Sequence, residues 1–532
     1  MDVLILAAGL SSRLSKFTHE LIPKYLIDID GNNGLYYLIK YWSKYGNNIY
    51  LVINSKYNDI TNFYIQNILY EHVDKIKIIN YDSSDGTAYT LNYILNNNLK
   101  NENIQHLLLT WCDLYPVDVI NFKKLNKLNG NNIHIFTYGN KCRYALNEKN
   151  EIINVEKQDG NIIGIYYFQN FKRFSLETNC INNDIVIYLN QLGNICNFPL
   201  NNIVDYGDEE KLLNIIEFKN NSNKDLKCRY FNTIDVIEEN KLMKRGINDK
   251  GKEIINFEKD WYKYVISLNN NKIDELIPKI YNIYESAILM EYKKGFIPVY
   301  QFMLQNEGNK ELILQNIMSQ INKLHNIEKI SIEKYIHLNN LKKEIYDKVI
   351  DRKKIINPLL DYFGIISTVN NVKIDTFESV LNKCKNIIIK YYEMIDKCEY
   401  SIIFGDCQFS NILINPNNIS EIVFIDPRGY FGNTKIHGPI EYDYAKILYA
   451  ISGYDKFNNN HFNIKSINEE EKCIEFDIEG IFFEKNIINK YFNKVHKAYL
   501  VIIWLSLAEY NKNNIWKCLA SYYYGLYLGT IL

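Results

Sequence analysis

The sequence predicts an α/β chain in two parts: a helix-covered parallel sheet over residues 1–225, then an α+β region over 226–532. Three observations lead there. At 532 residues the chain exceeds what one ordinary core supports. In its first part short apolar runs alternate with helix-length segments, the pattern of parallel strands joined by crossover helices. Near residue 228 that alternation stops, giving way to two adjacent strand-like segments and then to long helical stretches.

The elements follow in order. Val3–Ala8 is a short apolar run and reads as a buried strand. Gly34–Tyr45 has helical character, Ile49–Asn54 reads as a strand, Asn58–Tyr70 as a helix and Lys75–Ile79 as a strand. Thr87–Leu95 is the next helix and His106–Thr110 the next strand. Ligands on such sheets bind at the carboxyl ends of strands, so the residues after each strand are the ones to inspect. The polar stretch Lys219–Asp225 marks the boundary. Beyond it, Arg229–Ile237 and Asn240–Arg245 read as two strands joined by a turn at Glu238–Glu239, and Ile254–Leu268 as a charged helix. Glu311–His325, Ser331–Val349 and Asp375–Lys397 read as helices. A β segment follows at Ser401–Phe404, Ile412–Ile414 and Glu421–Ile425, and helical character runs from Tyr442 to the end.

Composition narrows the class. Hydrophobic residues are 47% and charged residues 23%, as in folded soluble proteins. Lys+Arg (61) and Asp+Glu (62) nearly cancel, which argues against a nucleic-acid or anionic-membrane partner. The ten Cys show no CxxC pair, so the expectation is reduced thiols in a cytoplasmic protein without structural zinc. The apolar start lacks a basic leader, and the run Tyr499–Leu507 is too short to span a bilayer, so no membrane association is expected. Runs at Asn96–Asn98, Asn269–Asn271 and Asn458–Asn460 read as loop tips.

The first candidate site is Leu6-Ala7-Ala8-Gly9-Leu10-Ser11-Ser12-Arg13, directly after the first strand, with Pro23-Lys24 shortly behind. Small residues let a backbone approach a phosphate chain with its N–H groups turned inward. Arg13 and Lys24 add two cations for a triphosphate. An apolar strand, Leu107–Thr110, then leads into Trp111-Cys112-Asp113.

This part resembles the sugar-1-phosphate nucleotidyltransferases and their choline-phosphate cytidylyltransferase relatives, which have a Rossmann-like, GT-A-like fold. Their signature is a strand, Leu-Ala-Ala-Gly, a small-residue loop, an Arg and a Pro-Lys. The resemblance covers roughly residues 1–225 and implies roles for particular residues. Leu6, Ala8, Gly9, Ser11 and Ser12, with Gly86, Thr87 and Ala88 of Asp85-Gly86-Thr87-Ala88, would contact the nucleotide. Asp113 and Asp205, the latter in Val204-Asp205-Tyr206-Gly207-Asp208, would bind Mg²⁺. Glu156 and Lys157, with Gly164 of Ile163-Gly164-Ile165-Tyr166-Tyr167, would surround the sugar or alcohol phosphate. Arg13 and Lys24 would act on the phosphates during transfer. The family's loop has a second Gly and a Thr where this chain has Ser11 and Ser12, which leaves the NTP open among CTP, UTP and GTP.

The second candidate site is Phe404-Gly405-Asp406-Cys407-Gln408-Phe409-Ser410-Asn411, followed by Phe424-Ile425-Asp426-Pro427-Arg428-Gly429. Asp406 and Asn411 have the D-x-x-x-x-N spacing of a kinase catalytic loop, in which the Asp takes the acceptor proton and the Asn and a later Asp hold Mg²⁺. Asp426 ends an apolar strand at the place of that later Asp. This part resembles the aminoglycoside phosphotransferase and choline kinase family, which shares the bilobal protein-kinase fold. That resemblance implies an N-lobe over about 226–295 and a helical C-lobe over about 296–532. It also implies ATP as phosphate donor, a small alcohol or sugar as acceptor, and a lysine–glutamate pair, for which Lys244 and Glu258 are the candidates. Met290-Glu291-Tyr292 would be the hinge beside adenine, and Tyr442-Asp443-Tyr444-Ala445-Lys446 an element supporting the site. The family has His where this chain has Phe404, and Pro427-Arg428-Gly429 departs from the choline kinase pattern, which leaves the acceptor open.

A kinase makes a phosphomonoester and a nucleotidyltransferase consumes one. The expectation is therefore a bifunctional enzyme that makes an NDP-activated precursor for glycan or surface-polymer synthesis. The alternative is a nucleotidyltransferase carrying a degenerate, regulatory nucleotide-binding module.

Overall fold

The carboxyl-terminal ends of the first and fourth strands open at one edge of a seven-stranded sheet, and that edge defines the first unit. The structure is a computed structural model describing all residues except 10, 30, 84–85, 127–131, 156–159, 172–182, 223–231, 394–397, 469 and 471. The chain divides into two compact units, Met1–Ser222 with Asn513–Ile515, and Asn223–Lys512 with Trp516–Leu532.

The strands of the first unit are β1 (Asp2–Ala7), β2 (Ile49–Ile53), β3 (Ile76–Asn80), β4 (Leu107–Trp111), β5 (Leu114–Pro116), β6 (Asn132–Cys142), β7 (Tyr144–Leu146), β8 (Ile152–Asn154), β9 (Gly160–Phe168), β10 (Asn194–Pro199) and β11 (Ile203–Asp205). The main sheet runs β10-β6-β9-β4-β1-β2-β3. β1 pairs in parallel with both β2 and β4, and β2 with β3, as the alternating sequence predicts. Val3–Ile5, Ile49, Leu51–Ile53 and Leu107–Leu109 have no exposed surface, so helices and loops cover both faces, which is why these strands read as unbroken apolar runs. The sheet is not parallel throughout: β9 lies antiparallel between β4 and β6. Between β6 and β9 the described residues hold the β7–β8 hairpin and no crossover helix, and without a crossover the strand returns antiparallel.

The second unit opens with an antiparallel sheet ordered β12-β13-β15-β14, formed by β12 (Asn232–Glu238), β13 (Lys241–Gly246), β14 (Ile280–Ile283) and β15 (Ala287–Glu291). Helix Asp249–Ser267 follows β13; Asn248 caps it by accepting the Gly251 N–H at 2.9 Å. Farther on, helix Lys494–Tyr510 is buried on nearly every side and packs on helices Ile440–Ile451, Lys348–Tyr362 and Phe377–Glu393. The apolar run Tyr499–Leu507 is thus the centre of a helical core. Among the described residues no helix is long and apolar enough to cross a membrane.

In the first unit the Asn96–Asn98 run, expected as a loop tip, closes the helical stretch Ile94–Asn98 instead, and two expectations fail in the second unit. Ser331 lies in a strand, Lys329–Ile332, that pairs with Cys398–Ser401; the helix starts at Lys334. Partner strands override a helical pattern of this length. The stretch from Tyr442 to the end is also broken by a hairpin, Asn463–Asn468 with Cys473–Asp477. Its buried Ile464, Ile474 and Phe476 recur at a spacing too brief to stand out between the flanking helices.

Candidate active sites

β1 and β4 are neighbours, with Leu6 opposite Trp111, so the loop after β1 and Asp113 after β4 emerge at the same edge. Ser11 holds the loop in a left-handed turn at φ 60°. That conformation favours glycine, yet a serine adopts it here. The Ser11 hydroxyl accepts the Lys24 backbone N–H at 2.9 Å, tying the small-residue loop to the Pro-Lys element. The Lys24 ammonium in turn lies 2.5 Å from Asp113 Oδ2. Burial works against the Lys24 charge, but Asp113 beside it outweighs burial and holds the ammonium above its ordinary range. Arg13 and Ser12 are exposed on the same loop.

Asp205 reaches this edge through a small ribbon. β11 pairs antiparallel with β5, which begins one residue after Asp113, and the register sets Asp205 opposite Leu114. The Tyr206 N–H donates to Asp113 O at 2.9 Å, and the buried Tyr206 hydroxyl donates to Cys112 O at 2.6 Å. The two carboxylates converge on Gly207: a Cβ there would meet Asp113 Oδ2 at 2.9 Å and Asp205 Oδ1 at 3.2 Å. Asp113 is only 5% exposed, and its Oδ1 is buried without a hydrogen-bond partner. Asp205 Oδ1 accepts the Gly207 N–H at 2.9 Å, and Lys211 Nζ lies 2.7 Å from Asp205 Oδ2.

Among the described residues no three or more His, Cys, Asp or Glu side chains cluster as a complete metal cage. Two hard carboxylates, one with an unsatisfied buried oxygen, fit Mg²⁺ as it is usually held, by one or two carboxylates plus substrate phosphates and water. Gly207→Ala is expected to lower nucleotidyl transfer at least tenfold (about 1.4 kcal/mol of barrier) with little change in melting temperature, because the added methyl presses on both carboxylates. Steady-state rates with a thermal melt check this.

The remaining nucleotide candidates are placed as follows. Gly86 opens helix Gly86–Tyr93 with φ 86°. Thr87 donates its hydroxyl to Asp184 Oδ1 at 3.0 Å and accepts the Ile185 N–H at 3.0 Å. The Ala88 side chain is fully buried in the core, and its N–H donates to Asn183 O. Thr87 and Ala88 therefore anchor the helix against Asn183–Ile185. Gly164, in β9, lies against the Trp111 ring, where a Cβ would stand 3.7 Å from it. Asp85, Glu156 and Lys157 lie outside the described residues.

In the second unit Lys244, buried on β13, lies 2.7 Å from both Glu258 Oε2 and Asp426 Oδ1. Burial drives the Glu258 carboxyl upward, and Lys244 pulls it back. The backbone permits this trio at two points. Asp426 takes φ 62°, and Gly429 runs so close to helix Asp249–Ser267 that a Cβ would strike Phe257 O at 2.1 Å.

The hairpin Ile412–Asn415 with Asn418–Phe424 brings Asn411 beside Asp426, and the Ile425 N–H donates to Asn411 O at 2.9 Å. Asn411 Nδ2 donates to Asp406 Oδ2 at 3.1 Å, and Lys446 Nζ lies 3.0 Å from Asp406 Oδ1. Buried Asp443 accepts the Phe404 and Gly405 N–H groups at 2.8 and 2.6 Å and meets His325 Nε2 at 2.9 Å. Phe404 packs edge-on against Trp261, whose indole N–H donates to Ile403 O at 2.9 Å. Packing and this indole bond thus support the loop at Phe404. Glu291 ends β15 and Tyr292 follows it; the Glu291 carboxylate accepts the Lys279 N–H at 3.1 Å and pairs with Lys293 at 3.0 Å.

Sequence reasoning missed Lys211, Gly207, Trp261 and Asp455. Asp455 accepts the Ser410 N–H at 2.9 Å and the Phe409 N–H at 3.2 Å, pinning the turn that ends in Asn411. Nothing in the local sequence marks it, since it lies in a separate helix, Tyr454–Asn458. Burial pushes its carboxyl up to about 7, against the pull of the Ser410 hydrogen bonds. With the folded value raised, Asp455 contributes stability that is full below its unfolded value of about 4 and lost as pH rises through about 7. Asp455→Asn is therefore expected to gain stability relative to the parent between pH 5 and pH 8. Thermal melts of both proteins across that range test this, and a constant difference would refute it.

No protein-family model matches the chain, and no curated protein matches it. Many solved structures are similar to the chain, and two of them match its N-terminal part. One, assigned as a glucose-1-phosphate thymidylyltransferase from Bacillus anthracis and solved with sucrose, is 18% identical, with 43% of this chain and 97% of that chain covered and a TM-score of 0.33. The other, a nucleoside-diphosphate-sugar pyrophosphorylase from Vibrio cholerae RC9, is 15% identical, with 41% and 100% covered and a TM-score of 0.31.

Proposed function

We propose that the first unit transfers a nucleotidyl group from CTP, UTP or GTP to a phosphomonoester, and that the second phosphorylates a small alcohol or sugar with ATP. One observation carries this reading: each unit joins carboxylates to a buried lysine where chain segments meet, Asp113 with Lys24 and Asp426 with Lys244. In the first unit a phosphomonoester oxygen attacks the α-phosphorus, the α–β bridging P–O bond breaks and pyrophosphate leaves. Lys24, held at Asp113, faces the α-phosphate, and Arg13 with the amides of the Gly9–Ser12 loop takes the leaving pyrophosphate. In the second unit the acceptor hydroxyl attacks the γ-phosphorus, its proton passes to Asp406 and ADP leaves. Asn411 and Asp426 would hold the metal of that site, and Lys244, oriented by Glu258, contacts the α- and β-phosphates. Bound Mg²⁺ supplies charge neutralisation at both sites.

The assembled Lys244–Glu258 and Lys244–Asp426 pairs, with Asp406 fixed by Asn411 and Lys446, support a working kinase site over a degenerate regulatory module. The two reactions then run in order, the kinase product serving as the transfer substrate. A matrix of four NTPs against phosphomonoesters, scored for pyrophosphate, tests the first half. ATP with the corresponding alcohols, scored for ADP and phosphorylated product, tests the second. Release of pyrophosphate with one NTP, and of ADP with the matching alcohol, is expected. Silence in both arms across a broad panel would sink the proposal.

A further inference from the structure

Two lysines, not one, face the pair of carboxylates in the first unit. Lys24 is the deeply held one, its side chain 16% exposed, bound to Asp113 and tied through its backbone N–H to Ser11. Lys211 differs. It belongs to the first turns of helix Glu209–Ser222, with its N–H donated to Asp208 Oδ1 at 3.0 Å. Its ammonium lies 2.7 Å from Asp205 Oδ2 and 3.5 Å from Asp208 Oδ2, and its side chain is 40% exposed.

The geometry therefore couples an ammonium to a carboxylate that a divalent cation also needs. Asp205 Oδ1 is occupied by the Gly207 N–H and Oδ2 by Lys211, while Asp113 keeps a buried oxygen without a partner. A cation entering from the Asp113 side gains full use of Asp205 only if the ammonium moves. Lys211 can move, because a part-exposed ion pair is weak and its flexible stem reaches water without disturbing the core. Lys24 is held by burial and has no such freedom.

We propose that Lys211 is a displaceable counter-cation, holding Asp205 in the metal-free site and yielding it to a divalent cation. Released, its charge turns to the phosphate groups that arrive with the metal. This rests on the reading of the first unit as a metal-dependent nucleotidyltransferase.

The test is Mn²⁺ binding to the full chain without nucleotide, followed by the electron paramagnetic resonance signal of free Mn²⁺. The part of the binding that Asp205→Asn removes is assigned to this site. Lys211→Met is expected to tighten that part about fivefold, the size of a part-exposed ion pair, and Lys211→Arg to leave it near the parent value. Lys211→Gln should tighten it as Lys211→Met does, which guards against a folding defect in one variant. Unchanged or weaker Mn²⁺ binding in both neutral variants would overturn the counter-cation role while leaving the metal site standing. Parent protein whose Mn²⁺ binding is insensitive to Asp205→Asn would overturn the metal site and, with it, this inference.

Discussion

Asp406→Asn is expected to lower ATP-dependent phosphorylation about a thousandfold while leaving nucleotidyl transfer from a supplied phosphomonoester unchanged. The carboxylate is the one group in the Asp406–Asn411 turn able to take a proton from an acceptor hydroxyl. Its Oδ1 is aligned by Lys446 at 3.0 Å and its Oδ2 by Asn411 at 3.1 Å. Asparagine keeps the shape and one acceptor oxygen but has no basicity, so proton transfer is lost, and its NH₂ replaces one of the two acceptors that Lys446 and Asn411 use. The turn itself is held by Asp443 and Asp455 through backbone N–H groups and does not depend on the Asp406 carboxylate. A somewhat lower melting temperature is expected alongside the lost turnover, because Lys446, its side chain 13% exposed, loses its carboxylate partner. Retained phosphorylation in Asp406→Asn would remove Asp406 from the reaction, and loss of both activities would show that the two units do not act separately.

Asp113→Asn is the counterpart, expected to lower nucleotidyl transfer about a thousandfold and to spare phosphorylation. Two effects add. The site loses one of the two carboxylates proposed to bind metal, and Lys24 loses the charge that keeps it ionised against burial. Breaking a largely buried pair by removing one partner destabilises by about 3 kcal/mol, so a lower melting temperature is also expected. The double variant Asp113→Asn with Lys24→Met separates the two, since removing the orphaned ammonium should return much of the stability and none of the activity. Transfer restored together with stability would mean that Asp113 acts only as a structural partner of Lys24.

Both variants were legible in the sequence because each motif lies within a short stretch attached to one strand. The loop Leu6–Arg13, Asp113, the Asp406–Asn411 spacing and Asp426 all sit next to apolar runs that announce the strands. The parallel core β4-β1-β2-β3 was legible for the same reason, since strands buried on both faces are written as apolar runs between helices. The reversal of β9 was not, because strand direction follows from what connects the strands and from which neighbour is available. The hairpin Asn463–Asp477 was hidden by its brevity and by the helices around it.

By itself, then, the sequence determined the alternating sheet, the change of pattern near residue 228 and the identity of the motif residues, all carried by local pattern. Tertiary structure alone decided which distant side chains meet. The β11–β5 register brings Asp205 to Asp113, the lack of a side chain at Gly207 lets them converge, and helix Glu209–Ser222 delivers Lys211. Helix Asp249–Ser267 carries Glu258 to Lys244, and Asp455 reaches the Asn411 turn from a separate helix. The reason is physical: strand and helix periodicity are written over a few residues, whereas ion pairs and buried hydrogen bonds depend on chain closure over tens to hundreds of residues, which no local pattern encodes.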